Sequence, residues 1–135
     1  MSFLLDTCVI SELSKDSGLA SPAVLRWLSS TDEDQLHLSA ITLAELRRGI
    51  SRLPASHKKT RLESFLSRIR RRFSGRILPV DEKVAIAWGE LFALERPLNF
   101  PDSLIAATAW THNLKVVTRN QRDIIKVETI NPWEQ

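Results

Sequence analysis

Phe3-Leu4-Leu5-Asp6-Thr7-Cys8-Val9-Ile10-Ser11-Glu12 opens the chain with three apolar residues that run straight into an aspartate. A short apolar run of this kind forms a strand buried on both faces of a parallel sheet. The residues from Thr7 onward place Val9, Ile10 and Leu13 at helical spacing, which predicts a helix over 7–15. A strand that feeds a helix leaves Asp6 at the strand's carboxyl end. In open α/β sheets, ligands collect in the crevice beyond those ends. The rest of the chain is therefore read for what else it delivers to the neighbourhood of Asp6.

The helix from Thr7 is expected to stop at Asp16-Ser17-Gly18. Ser21-Pro22 then opens a second helix, with serine as N-cap and proline in the first turn. Its apolar stripe is Val24, Leu25, Trp27 and Leu28. Thr31–Asp34 reads as a polar loop and Gln35–Leu38 as a short strand. In the next helix Thr42 and Glu45 have the spacing of a capping box. The other reading of Glu45 is that it projects from the first turns toward Asp6. On that reading Arg47 and Arg48 lie near the mouth of the crevice, as possible contacts for RNA or a protein partner.

A long basic helix follows over 56–73, with Leu62, Phe65, Leu66, Ile69 and Phe73 as its apolar stripe. Gly75 ends it. Arg76–Val80 reads as a strand, and Pro79 marks it as an edge. Asp81 caps a helix carrying Val84, Ala87, Trp88, Leu91 and Phe92. Arg96–Pro101 is a loop, and Pro101 starts an alanine-rich helix with Asp102 in its first turn. There Asp102 is either a charge suited to the helix dipole or a member of the site. Asn113 breaks that helix. Leu114–Thr118 and Lys126–Ile130 are the last strands. Strands that alternate with helices predict a parallel sheet of four or five strands covered on both faces, within one domain over residues 1–135.

A chain of 135 residues with 43% hydrophobic and 26% charged residues is expected to be an ordinary globular domain. No apolar run approaches the ~18–20 residues needed to cross a bilayer. The first residues lack the basic segment of a signal peptide. One cysteine, Cys8, leaves no internal disulfide framework, so a cytoplasmic setting is expected. The net charge of +3 conceals an asymmetry. Residues 47–76 carry a net +10 and the remainder −7. That block suits either a polyanion or a solvated helix face.

Asp6, Glu45, Asp102 and the Asn120/Asp123 pair all fall near strand ends or helix starts. They cluster only if the first and fourth strands lie side by side. Several carboxylates in one crevice repel one another unless a cation neutralises them. The donors are all oxygens, which suits Mg2+, with Mn2+ able to substitute, rather than zinc. None of His37, His57 and His112 makes a case for a catalytic histidine. Trp27, Trp88 and Trp110 fall on helical stripes and read as core, and Trp133 as a packing anchor.

These residues carry a resemblance. Leu4–Thr7, Leu38–Arg47, Gly75–Asp81, Asp102–Ala109, Val117–Asn120 and Asn131–Trp133 together resemble the PIN-domain ribonucleases of the VapC toxin type, near their FitB-like branch. The match runs in order along essentially the whole chain. It implies a three-layer α/β/α fold and a Mg2+-dependent endoribonuclease. It also implies a homodimer and an antitoxin that blocks the site and can bind operator DNA. The resemblance places Asp6, Glu45 and Asp102 at the family's acidic metal-binding positions and Asn120 at the fourth, with Asp123 at a further acidic position. Thr7 and Thr118 match hydroxyls that orient the carboxylates. Cys8 stands where the family usually has asparagine, and reads by itself as a small buried hydrophobe. The loop Glu95–Pro101 looks shorter than in relatives.

Two readings from other classes stand beside this one. Asn120 and Cys8 favour a non-catalytic RNA- or protein-binding module that keeps the fold. A phosphoryl-transfer domain with Asp6 as nucleophile would need a second aspartate where Cys8 stands.

Overall fold

The computed structural model describes residues 1–16, 18–96 and 98–135. Five parallel strands form one sheet in the order β3-β2-β1-β4-β5. They are β1 (Phe3–Leu5), β2 (Leu36–Ser39), β3 (Ile77–Leu78), β4 (Lys115–Val117) and β5 (Thr129–Ile130). Phe3 pairs with Leu36 on one side and Lys115 on the other, which makes β1 the central strand. The chain builds outward from β1 through β2 and β3, then returns to β1's other side through β4. The order reverses at β1, so the topological switch point lies between β1 and β4. The expected adjacency of first and fourth strands is thus present.

Alternation along the strands divides the core into two layers. Phe3, Leu5, Leu38 and Val117 face one side, and Leu4 and Val116 the other. Helices α1 (Thr7–Leu13), α2 (Pro22–Ser29) and α4 (His57–Arg72) cover the first side through Val9, Ile10, Val24, Phe65 and Ile69. Helices α5 (Glu82–Leu91) and α6 (Phe100–His112) cover the second through Phe92, Ile105, Ala106 and Ala109. Helix α3 (Ala40–Ser51) meets both layers, with Leu46 against the first and Ile41 against the second. The expected α/β/α architecture is the one observed.

Several caps match the sequence reading. Ser21 accepts from the Val24 amide, Asp81 from the Val84 amide at 3.0 Å, and Asn113 ends α6 at φ 54°. Other expectations need correction. Helix α3 is capped by Ser39, whose hydroxyl accepts from the Ile41 amide at 3.0 Å. Thr42 therefore sits inside the helix, and the capping box with Glu45 does not form. The reason is that β2 passes into α3 without a loop. The segment 126–130 is extended only at Thr129–Ile130, because Lys126 adopts φ 77°. The segment 76–80 pairs only over Ile77–Leu78, at the sheet edge, before Pro79. A 3-10 turn, Glu33–Gln35, occupies part of the expected loop. Helix α1 ends at Leu13, two residues short of expectation. Ser17 and Pro97, on which the first helix stop and the loop Glu95–Pro101 partly depend, lie outside the described residues.

Among the tryptophans, Trp27 packs edge-on to Phe3 with centroids 5.1 Å apart. Trp88 stacks on Phe100 and donates its indole N–H to Ser103 Oγ at 2.9 Å. Trp110 is not core: it is 56% exposed on the outer face of α6. No helix among the described residues is long and apolar enough to cross a membrane.

Candidate active site

At the end of β1, the Asp6 amide donates to the Val117 carbonyl at 2.9 Å and so continues the β1–β4 ladder. Asp6 is also the N-cap of α1. One residue thus ends the central strand and starts the first helix, and it is only 4% exposed. A buried carboxylate must be satisfied by donors. Thr7 N–H donates to Asp6 Oδ1 at 2.8 Å, and the Thr118 hydroxyl donates to Oδ2 at 2.7 Å. The Cys8 thiol lies 3.5 Å from Oδ2 as a further, weak donor. The backbone N–H of Asn120 donates to Thr118 Oγ1 at 3.0 Å, which orients that hydroxyl toward Asp6.

Glu45 reaches the same place from α3. Its Oε1 accepts from the Thr7 hydroxyl at 2.6 Å, and Thr42 Oγ1 lies 3.2 Å from that same hydroxyl. Thr7 therefore links the two acids, with its amide on Asp6 and its hydroxyl on Glu45. Burial raises the proton affinity of Glu45. The Thr7 hydrogen bond opposes that rise and the charge of Asp6 adds to it.

Asp102 arrives from the first turn of α6, where the Asn99 side chain caps its amide at 3.2 Å. Its pKa is pushed from 3.8 up to about 6, mainly by burial, then by the charges of Asp6, Glu45 and Asp123. Three carboxylates from three separate elements thus line one cavity of about 410 Å³, together with Asn120.

Asp123 is exposed and outside that cavity, and it reaches Asp102 only through space. Arg47 and Arg48 do not line the cavity either. Two residues beyond Glu45, Arg47 points ~200° around the helix. There it bonds Ser51 Oγ at 3.0 Å and pairs with Glu63 at 3.4 Å. Cys8 is not a plain hydrophobe. It packs against the first core layer while its sulfur accepts the Arg119 amide at 3.5 Å. Its thiol is pushed up to about 11, by burial and then by Asp6, and so stays protonated.

The cavity also holds Ser11, Glu12, Lys15 and Arg119, which the sequence reading did not single out, and Trp133, which it took only as a packing anchor. Cys8, Ser11, Glu12 and Lys15 recur at three- and four-residue steps, the spacing of one helix face. That periodicity was the available signal. Arg119 had the signal of Asn120, a polar residue just past a strand end.

The donor set bears directly on a metal. Among the described residues, no three His, Cys, Asp or Glu side chains stand close enough to form a ready-made cage. Mg2+ does not require one, because it keeps several waters and binds through one or two carboxylates. The raised proton affinities of Glu45 and Asp102 come first from burial and then from neighbouring negative charge, and a cation beside them would offset both. The residues present therefore fit a hydrated divalent ion.

Comparison with known proteins gives a consistent result. The PIN-domain profile matches residues 3–129. The VapC ribonuclease Y4jK of Sinorhizobium fredii is 37% identical over 140 residues, covering 97% of each chain. Toxin FitB of Neisseria gonorrhoeae is 39% identical over 137 residues, covering 96% of this chain and 97% of its own. Among solved structures, FitAB bound to an IR36 DNA fragment superposes with a TM-score of 0.86 at 36% identity, over 97% of this chain and 95% of that one.

Proposed function

This chain belongs to the PIN-domain family, and from that premise we propose that it is a toxin ribonuclease of a toxin–antitoxin pair, hydrolysing RNA phosphodiester bonds with a divalent cation. The observation that carries the reading is the convergence of Asp6, Glu45 and Asp102 in one cavity at the sheet's switch point. A protein that merely captured a polyanion would gain nothing from three carboxylates there. The names of its relatives, a VapC ribonuclease and a FitB toxin, support the same reading.

Asp6, Glu45 and Asp102 would hold the ion, Mg2+ or in its place Mn2+. When bound, such an ion lowers the pKa of a water and neutralises charge on the phosphate oxygens. The chain's own residues supply the orientation. Thr118, Thr7 and the Asn120 amide fix the direction of Asp6, and Thr7 fixes Glu45. Asn120 contributes at most a neutral carbonyl oxygen from the rim, and Asp123 a distant negative charge. The burial of Asp6 excludes water from its inner face.

The partner on this reading is an antitoxin protein that covers the site and can bring the pair to operator DNA, with the toxin as a homodimer in the cytoplasm. The solved FitAB complex with DNA supports the partner and DNA parts of that assignment by likeness. Residues 3–129, which the PIN-domain profile matches, would act as one domain of the toxin.

The test is cleavage of total cellular RNA by the purified chain, freed of any partner, with Mg2+ or Mn2+. Discrete fragments are expected. They should vanish with EDTA and in Asp6→Asn or Asp102→Asn, both of which should keep the wild-type circular dichroism. Full cleavage in either variant would overturn the assignment. Binding of RNA without cleavage would favour the non-catalytic module.

A further inference from the structure

The cavity that holds the three acids also has a wall of opposite sign. Lys15, two residues past the end of α1, and Arg119, two residues past the end of β4, both line it. Each cation is held by a partner that is itself packed. Lys15 Nζ lies 2.8 and 3.2 Å from the two oxygens of Glu12, whose side chain is only 6% exposed. Glu12 is tied down in turn by the Ser21 amide at 2.9 Å. The guanidinium of Arg119 lies over the ring of Trp133, 5.3 Å from its centroid. Among the described residues, no carboxylate pairs with Arg119.

We propose that Lys15 and Arg119 form a clamp for RNA phosphate groups that seats the backbone against the acidic wall, with Glu12 and Trp133 as positioning residues. The proposal rests on the nuclease reading above. A phosphodiester that approaches three carboxylates meets repulsion, and screening limits attraction by distant charges to ~10 Å. The basic block at 47–76 does not supply the local grip, because none of its residues lines this cavity. Lys15 can. Its ammonium has three donors, Glu12 occupies two directions, and the side chain remains 49% exposed. Arg119 can as well. A guanidinium already seated over an aromatic ring loses less further freedom when its N–H edge takes a phosphate in bidentate fashion.

A buried carboxylate is costly unless it is well paired. Glu12 answers that cost with Lys15 and the Ser21 amide, and its proton affinity is lowered chiefly by Lys15. The arrangement fixes an otherwise mobile lysine on the wall that faces the acids.

The experiment measures binding of a labelled, mixed-sequence single-stranded RNA to the Asp6→Asn chain across a salt series with chelator present. Lys15→Ala and Arg119→Ala should each weaken binding about tenfold at low salt. Each should also flatten the slope of log affinity against log salt by about 0.7. Trp133→Ala, which removes the ring under Arg119 without changing charge, should move affinity in the same direction, and Arg119→Lys should restore the slope. Lys83→Ala, on the far helix α5, should change nothing. Thermal melts establish that each variant is folded.

If the wild-type chain cleaves RNA and the Lys15 and Arg119 variants bind with unchanged affinity and slope, the clamp is wrong while the nuclease reading stands. If the variants lose affinity and slope but the wild-type chain cleaves nothing, the clamp stands and the nuclease reading falls.

Discussion

Thr118 is the residue on which the orientation of Asp6 depends most directly. It is fully buried, donates to Oδ2, and is itself held by the Asn120 amide. Hydroxyls that orient a metal-binding carboxylate are worth ~10–100-fold in activity or metal affinity. Thr118→Val should therefore lower single-turnover cleavage by about that factor with the fold retained, and it should raise the Mn2+ concentration needed for activity. A second consequence concerns Asp102. Its pKa in the folded chain is about 6 against an ordinary 3.8, so the folded state binds the proton more tightly. Stability from this group is then greatest below pH ~4, falls as pH rises to ~6, and is flat above. Comparison of urea unfolding of the metal-free wild type and Asp102→Asn across this range should show their stability difference shift against the wild type as pH rises. Because Asp102 is only half-buried, solvent reduces the size of this effect. A difference that stays constant with pH would show that Asp102 is not perturbed.

At the scale of elements, the site is made of junctions rather than loops. β1 passes to α1 through Asp6, and β2 passes to α3 through Ser39, whose hydroxyl caps the helix. Loss of a serine cap costs ~1 kcal/mol. Ser39→Ala should lower the unfolding free energy by about that amount. It should also loosen Glu45, which sits in the second turn of the same helix, so activity should fall as well. Basic residues elsewhere have structural employment. Arg72 pairs with Glu33 at 2.6 Å, and Arg76 donates to the Leu36 carbonyl at 2.7 Å while lying over the ring of Phe73. Arg72 and Arg76 thus tie the end of α4 to β2 and the turn before it.

For the whole molecule, the sheet order decides the function. Only the reversal at β1 brings the end of β4 beside the end of β1, and hence Thr118 beside Asp6. A divalent ion bound by the three acids, as proposed, should stabilise the fold. A ligand at a hundred times its dissociation constant adds about 2.7 kcal/mol. The melting temperature should accordingly rise with millimolar Mn2+ in wild type, and the rise should disappear in Asp6→Asn. It should also weaken below pH ~6, as Asp102 takes up a proton. A wild-type chain whose melting is indifferent to metal would count against the site.

What the sequence determined by itself was local. Three apolar residues ahead of Asp6, Ser21-Pro22, Asp81 and Asn113 each carry their own short-range physics: burial, capping and a left-handed residue. Those signals sufficed for the α/β class and for the candidacy of Asp6, while Glu45 and Asp102 stayed open between a helix-terminus role and the site until the family resemblance placed them. Tertiary structure decided everything that depends on direction. It turned Arg47 away toward Glu63, exposed Trp110, left Asp123 outside the cavity, and drew Lys15 and Arg119 in beside the acids. The physical reason is that propensity and capping act within one turn of chain. Which side of a helix meets the crevice depends on how that helix packs on the sheet, and that is set by residues tens of positions away.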